Sequence, residues 1–145
     1  MRFSILTILT LATTTLLGQT VKKCDDSILL VTSEKIGQLN QKQITDFLLT
    51  LGQECRNNVE FSEWSNEILF SLLDKQTDLT IKTIEKEEKR IEMEEIFDDL
   101  SSPIHDLINL KDIISKIEKV KIKKELKDKI IEKLKTADGE TKIVR

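Results

Sequence analysis

The chain has 145 residues, a length that predicts one domain because domains commonly run to about 100 to 200 residues. It holds 23 basic and 26 acidic side chains, and this slightly acidic balance does not indicate nucleic-acid binding. One histidine and two cysteines are too few ligands for a zinc hydrolase, and no glycine-rich phosphate loop is present. We therefore predict neither a metal nor a cofactor.

The amino-terminal stretch MRFSILTILTLATTTLLGQT predicts a cleaved signal peptide over residues 1–18. Arg2 precedes an uncharged run that ends at the small residue Gly18, and charges return only at Lys22. The run is shorter than the roughly 20 apolar residues of a membrane-spanning helix. Its ending, LLGQ, resembles the leader endings of exported bacterial proteins, which implies a secreted or periplasmic protein. We expect cleavage after Gly18, with a cut after Thr20 as the alternative.

The two cysteines, Cys24 and Cys55, are expected to form a disulfide in the oxidising compartment that export implies. Such a bond closes a loop of 30 intervening residues and stabilises the fold by about 3 to 4 kcal/mol, mainly by restricting the unfolded chain. The alternative is a pair of free thiols, one of them catalytic. That interpretation lacks a nearby histidine to activate the thiol.

Abundant Leu, Ile, Lys and Glu predict an all-α fold. The first helix is expected from Asp26 to Lys35, with Asp25 as its cap and Gly37 close to its end. Its core side is predicted to comprise Leu29, Val31 and Ile36.

Asn40 and Gln43 form the sequence pattern of a capping box at the start of a second helix, which ends before Gly52. Its apolar residues recur at the spacing of one helix face: Ile44, Phe47, Leu48 and Leu51. If the first two helices form an antiparallel hairpin, the start of the first lies beside the end of the second. This geometry agrees with a bond between Cys24 and Cys55.

A third helix is expected to begin within NNVEFSEWSNEILF, residues 57–70, with Asn57 and Glu60 as a capping pair and Ser62 as a later possible start. Its apolar stripe consists of Phe61, Trp64, Ile68 and Leu72. Leu69 and Leu73 widen the stripe, and Phe70 lies away from its centre, which predicts a buried middle element with neighbours on two sides. Trp64 belongs either to this core or to an exposed contact with a partner.

A fourth helix is expected from Asp78, with Leu79, Ile81 and Ile84 in the core. We interpret the charged run EKEEKRIEMEE, residues 85–95, as a solvated face. The apolar pattern resumes at Ile91, Met93, Ile96, Phe97 and Leu100.

Ser102 and Pro103 predict the start of a further helix, since serine caps helices and proline is favoured at the first position. This helix is expected to bury Ile104, Leu107, Ile108, Ile114 and Ile117. A last amphipathic helix, ended by Gly139, is predicted around Leu126, Ile130, Ile131 and Leu134.

We therefore predict an irregular bundle, or a short stack of helical hairpins, with five to seven helices and one disulfide. The single helical domain is expected over residues 19–139, followed by a flexible tail over residues 140–145.

Charge is unevenly distributed along the chain. Residues 54–100 hold 14 acidic and 6 basic side chains, whereas residues 111–135 hold 10 basic and 5 acidic side chains. Each segment either forms a solvated surface or attracts the other across the fold, and we favour a mixture of both.

His105 lies beside Asp106 in the first turn of the helix predicted from Pro103, where we expect a solvated or capping histidine. Ser102, His105 and Asp106 would splay apart on one helix and are not expected to form a catalytic triad.

We expect a non-enzymatic protein that binds an as yet unknown protein partner, as an adaptor, an inhibitor or an immunity-type protein. Its possible interaction surface comprises Glu60, Glu63, Trp64, Asn66 and Glu67.

One alternative is a carboxylate-dependent or divalent-metal hydrolase that uses the face formed by Glu60, Glu63 and Glu67. Convergence of Glu63 or Glu67 with Asp98, Asp99 or His105 in one cleft would support it. A second alternative is contact with an anionic membrane or envelope surface through the Lys-rich helices from Lys111 to Lys135. We prefer the simpler interpretation that these lysines flank a buried apolar stripe.

Overall fold

The computed structural model describes residues 20–105 and 108–139, and these residues contain seven α-helices, one short 3-10 helix and no strand. In chain order the elements are α1 (Asp26–Glu34), α2 (Gln41–Thr50), the 3-10 helix (Gln53–Asn57), α3 (Val59–Lys75), α4 (Thr77–Glu87), α5 (Met93–Ser101), α6 (Leu110–Glu118) and α7 (Lys124–Ala137). The prediction of an all-α fold with five to seven helices and one disulfide is confirmed. The predicted signal peptide and carboxy-terminal tail lie outside the described residues.

Helices α1 and α2 begin at the caps that the sequence predicts. Asp25 accepts a hydrogen bond from the Ser27 backbone N–H at the start of α1. Asn40 and Gln43 form a complete capping box at the start of α2. The chain turns between the two helices at Gly37, whose φ of +91° favours glycine.

The buried side of the α1–α2 hairpin agrees with the prediction except at Val31. Leu29 is fully buried, and Ile36 packs against the core. Val31 is 44% exposed, because two residues along a helix correspond to a rotation of about 200° and place Val31 away from Leu29. The predicted face of α2 is buried throughout: Ile44, Phe47, Leu48 and Leu51.

The predicted disulfide joins Cys24 to Cys55, with their Cα atoms 5.5 Å apart. Thr50, at the end of α2, strengthens the same connection. Its backbone oxygen accepts a hydrogen bond from the Cys24 N–H, and its hydroxyl accepts from the Asp25 N–H and donates to the Lys22 oxygen. The disulfide therefore holds the chain before α1 against the 3-10 helix, and three hydrogen bonds hold it against the end of α2.

Helix α3 is the longest helix of the described chain, with 17 residues, and it contacts α1, α4, α6 and the 3-10 helix. Asn58 caps it by accepting from the Phe61 N–H, whereas the predicted cap, Asn57, belongs to the 3-10 helix. The prediction of a buried middle element is correct, since apolar side chains on more than one side of α3 are buried: Phe61, Ile68, Leu69, Phe70, Leu72 and Leu73.

Trp64 differs from the other members of its predicted stripe. Phe61, Ile68 and Leu72 are at most 2% exposed, but Trp64 is only partly buried and packs against the edge of the core. Part of the indole ring is therefore accessible to solvent beside the helix.

The charged run at residues 85–95 does not form one solvated face. Helix α4 ends and α5 begins within the run, so the chain turns a corner there. Glu87 is 6% exposed and accepts a hydrogen bond from Arg90, and Glu95 is 9% exposed and accepts one from Arg56. The interpretation as a solvated face was wrong for these two glutamates, because packing places each carboxylate beside an arginine that compensates its burial.

No helix begins at Ser102 and Pro103. Ser102 instead ends α5, where its backbone N–H donates to the Asp99 oxygen, and the described residues between α5 and α6 are not helical. A serine followed by proline occurs at the end of a helix as well as at the start of one, so this pattern alone did not distinguish the two.

Helix α6 begins at Leu110, where the Asn109 side chain accepts a hydrogen bond from the Asp112 N–H. The expected burial of Ile104 is wrong, since this residue lies in the non-helical segment and is 40% exposed. Ile114 and Ile117 are buried as predicted, Ile108 is partly buried, and Leu107 lies outside the described residues.

Helix α7 follows the prediction closely. Leu126, Ile130 and Leu134 are buried, Ile131 is partly buried, and Gly139 follows the helix with a φ of +70°. The helix packs against α5 and α6. Across the described chain, every helix is too short or too polar to cross a lipid bilayer.

The acidic and basic segments are partly paired across the fold. Lys116 lies 2.6 Å from Asp74, and α7 contributes a pair between Lys129 and Glu94 at 3.3 Å. Other lysines pair within their own helix, as Lys124 does with Asp128. The expected mixture of cross-fold attraction and solvated charge is observed.

We predict that Phe61→Ala lowers the free energy of unfolding by about 3 to 5 kcal/mol, because the change leaves a cavity in the core. Trp64→Ala is expected to lower it by only about 1 to 2 kcal/mol, since part of the ring is already in water. Urea unfolding followed by circular dichroism measures both changes. Equal losses for the two variants would show that Trp64 is a core residue.

Candidate functional site

A groove of about 340 Å³ opens between the carboxy-terminal half of α3 and the chain that leads into α6. Phe70 and Ile113, both 2% exposed, form its apolar floor, and polar side chains form its rim. We call it the α3–α6 groove. Its lining residues are Glu67, Phe70, Ser71, Asp74, Lys75, His105, Ile108, Asn109 and Ile113.

Glu67 and His105 both line this groove and are in direct contact. The His105 Nε2 atom lies 2.5 Å from Glu67 Oε1, and the two side chains are 55% and 44% exposed, respectively. His105 is solvated as expected, although it lies in a non-helical segment and not in the first turn of a helix. From the sequence this contact is only one of several possible convergences, because 38 residues separate its members and no local periodicity relates them.

Asn66 has a structural role. It is 3% exposed, its amide donates to the backbone oxygens of Asp99 and Ser102, and its side-chain oxygen accepts from the Ile104 N–H. The side chain therefore satisfies backbone groups at the end of α5 that have no partner within the helix. This corrects the predicted interaction surface, because a buried amide engaged in three hydrogen bonds offers nothing to a partner.

The other four predicted surface residues lie on the outward side of α3. Glu60 and Glu63 are exposed, and Trp64 and Glu67 are partly buried. Among the described residues, no cation pairs with Glu60 or Glu63, and Glu67 contacts His105. We call Glu60, Glu63, Trp64 and Glu67 the acidic α3 face. Glu67 also lines the α3–α6 groove, so the face and the groove form one continuous surface.

The opposite end of the groove is cationic. Lys75, in the last turn of α3, is exposed and has no carboxylate partner among the described residues. Asp74 beside it is compensated by Lys116, which also pairs with Asp112. Hydrogen bonds to Asp112 and Asp74 raise the pKa of Lys116, so this lysine stays charged. The groove thus lies between unpaired negative charge at one end and unpaired positive charge at the other.

Asp98 and Asp99 do not join Glu67 in the groove. Arg56 lies 2.5 Å from Asp98 and 2.8 Å from Glu95, and these two hydrogen bonds raise the pKa of the guanidinium. Asp99 lies beside Asn66, where burial raises the pKa of its carboxyl to about 6. Of the groups whose convergence would support a hydrolase, only Glu67 and His105 are in contact.

The described residues contain no cluster of three or more His, Cys, Asp or Glu side chains arranged to hold a metal ion. Glu60, Glu63 and Glu67 project from one helix, and a single helix cannot surround an ion with the six to eight oxygens that calcium requires.

Asp99→Asn is predicted to change how stability depends on pH. Burial raises the pKa of the Asp99 carboxyl to about 6 from its ordinary value of 3.8, so the native state holds more protons than the unfolded chain between these values. The contribution of Asp99 to stability therefore falls as pH rises from about 4 to 6. We expect Asp99→Asn to be more stable than the parent protein at pH 8, with the difference shrinking below pH 4. Urea unfolding at several pH values measures this, and a difference independent of pH would contradict it.

No protein-family model, curated protein or solved structure matches this chain. A functional conclusion therefore depends on the charges and contacts of the chain itself. The described geometry offers two features for such a conclusion: the acidic α3 face with its groove, and the pair formed by Glu67 and His105.

Proposed function

We propose that this chain is an exported helical protein-binding module whose contact surface combines the acidic α3 face with the α3–α6 groove. The main support for the proposal is that the acidic α3 face and the groove are adjacent and share Glu67. Exposed carboxylates without partners and a partly exposed tryptophan adjoin a groove with an apolar floor. Interfaces use such a combination, since charge orients the partner and a buried apolar or aromatic contact supplies affinity.

The pattern of charge along α3 supports this proposal. On two other helices an acidic residue pairs with a lysine one helical turn away, as Asp46 does with Lys42 and Asp78 with Lys82. On α3, the residue four positions after Glu63 is Glu67, so two carboxylates repel each other where a lysine would be stabilising. A cationic partner would relieve this repulsion.

Export is part of the proposal. The amino-terminal sequence has the layout of a signal peptide, and the disulfide between Cys24 and Cys55 is of the kind that persists in oxidising compartments. A small, disulfide-bonded helical protein with a charged contact face suits an adaptor, an inhibitor or an immunity-type protein.

Glu60→Lys/Glu63→Lys is expected to abolish capture of the partner by immobilised, oxidised mature protein from periplasmic or culture-medium fractions. The matched control is Glu118→Lys/Glu132→Lys, which makes the same change in net charge at exposed positions of α6 and α7. Mass spectrometry of the captured proteins should show one that the first variant loses and the control retains. Capture that both variants retain, or no specific partner even at low salt, would contradict the proposal.

The contact between Glu67 and His105 favours one second candidate, a hydrolase. A carboxylate that accepts a hydrogen bond from one imidazole nitrogen leaves the other nitrogen to act as a general base toward water. The groove beside this pair would hold the substrate. This candidate ranks second because no further carboxylate converges on the pair among the described residues.

The hydrolase candidate predicts turnover of p-nitrophenyl acetate by the mature protein, with loss of turnover in both His105→Ala and Glu67→Gln. An exposed imidazole alone reacts with this ester, so the requirement for Glu67 is the decisive result. A rate that Glu67→Gln leaves unchanged would attribute the reaction to an ordinary surface histidine and end this candidate.

Binding to an envelope surface through the Lys-rich helices is a less favoured alternative. Lys116, Lys123 and Lys129 already pair with carboxylates of the acidic segment. Because these pairs occupy part of the positive charge, less of it is available for an anionic surface.

A further inference from the structure

We infer that the partner occupies the α3–α6 groove with a short extended segment that presents a cationic, an apolar and an anionic side chain in that spatial order. The inference rests on the proposed function and specifies the chemistry of the partner. It follows from where the unpaired charges lie, from the apolar floor between them and from the distance that separates them.

The two ends of the surface carry opposite charges that the protein does not compensate. Glu60 and Glu63 have no cationic partner among the described residues, and Lys75 has no carboxylate partner there. Between them, Asp74 is compensated by Lys116. A partner segment therefore gains from a cation at the end where α3 begins and from an anion at the end where α3 terminates.

The middle of the groove accommodates an apolar side chain. Phe70 and Ile113 form the floor, and Ile108 is a partly exposed apolar residue on the wall. The volume of about 340 Å³ falls within the range of roughly 300 to 1,000 Å³ in which binding pockets are found. Burial of an aliphatic or aromatic side chain there would add affinity that the exposed charges alone do not supply.

The length of the surface sets the length of the segment. Glu63 and Lys75 are 12 positions apart on α3, a separation of about 18 Å at 1.5 Å per residue. An extended peptide covers this distance with about six residues. A free ion or a single amino acid is too short to reach both ends.

Two synthetic peptides of identical composition test this order. Acetyl-Lys-Ser-Leu-Phe-Leu-Glu-amide places opposite charges at its ends and apolar residues between them. Acetyl-Leu-Lys-Glu-Phe-Ser-Leu-amide has the same net charge, with its two charges adjacent at positions 2 and 3. Titration at low salt, followed by the fluorescence of Trp64 and by amide chemical shifts around the groove, should show that the first peptide binds about tenfold more tightly.

Matched variants test which charged residues of the protein contact the first peptide. Glu60→Lys/Glu63→Lys and Lys75→Glu should each weaken binding of the first peptide, by about tenfold for the double variant. The controls Glu118→Lys/Glu132→Lys and Lys121→Glu make the same charge changes at other exposed positions and should leave binding unchanged. Circular dichroism verifies that every variant is folded.

Equal binding of the two peptides, or equal losses in the control variants, would overturn the inference. Sedimentation of the mature protein provides a further check, since a dimer that Glu60→Lys/Glu63→Lys dissociates would identify a second copy as the occupant and also overturn it. If neither peptide binds while capture still depends on Glu60 and Glu63, the inference fails and the proposed function stands. If capture fails as well, both fail.

Discussion

Burial of α3 on several sides depends on polar side chains that satisfy the backbone at the ends of the neighbouring helices. Gln76, directly after α3, accepts hydrogen bonds from the backbone N–H groups of Gly37 and Leu39 and donates to the Leu39 oxygen, so it holds the turn between α1 and α2. Asn66 does the same for the end of α5. Every buried side-chain nitrogen or oxygen in the described chain has a hydrogen-bond partner. Since an unsatisfied buried group costs about 1 to 3 kcal/mol, these two amides remove that cost at the turn between α1 and α2 and at the end of α5.

Some carboxylates of this protein pair with cationic side chains within the fold, whereas others are exposed and have no such partner among the described residues. Glu92 receives hydrogen bonds from Lys23 and the Gln53 N–H, which lower the pKa of its carboxyl, and it thereby joins the segment before α1 and the 3-10 helix to the start of α5. Such carboxylates are engaged in holding the fold together. Glu60 and Glu63 differ, since no described side chain compensates them. Exposed carboxylates without a described partner also occur at Glu118 and Glu132, so the proposed contact surface is distinguished by the adjoining groove with its buried apolar floor as well as by its charge.

Local patterns predicted much of the fold because helix caps and apolar periodicity depend on neighbouring residues. The caps at Asp25 and Asn40, the buried face of α2 and the disulfide needed no knowledge of distant contacts. The interpretation failed at Ser102, where the same residue type suits the end of one helix and the start of another. It also failed at Glu87 and Glu95, because helix packing buries both carboxylates; Glu87 pairs with Arg90 three residues along the chain, and Glu95 pairs with Arg56, which is 39 residues away.

The sequence by itself determined the helical class, the cysteine pairing and the face of α3 that carries Glu60, Glu63, Trp64 and Glu67, because each depends on spacing along the chain or on the number of available partners. Only the tertiary structure decided that Asn66 is buried and bonded to the backbone at the end of α5. It also decided that Glu67 contacts His105 and that a groove connects the acidic α3 face to Lys75. These features join residues of α3 to others more than 30 positions away along the chain. Their geometry is fixed by how helices pack, which no local pattern records.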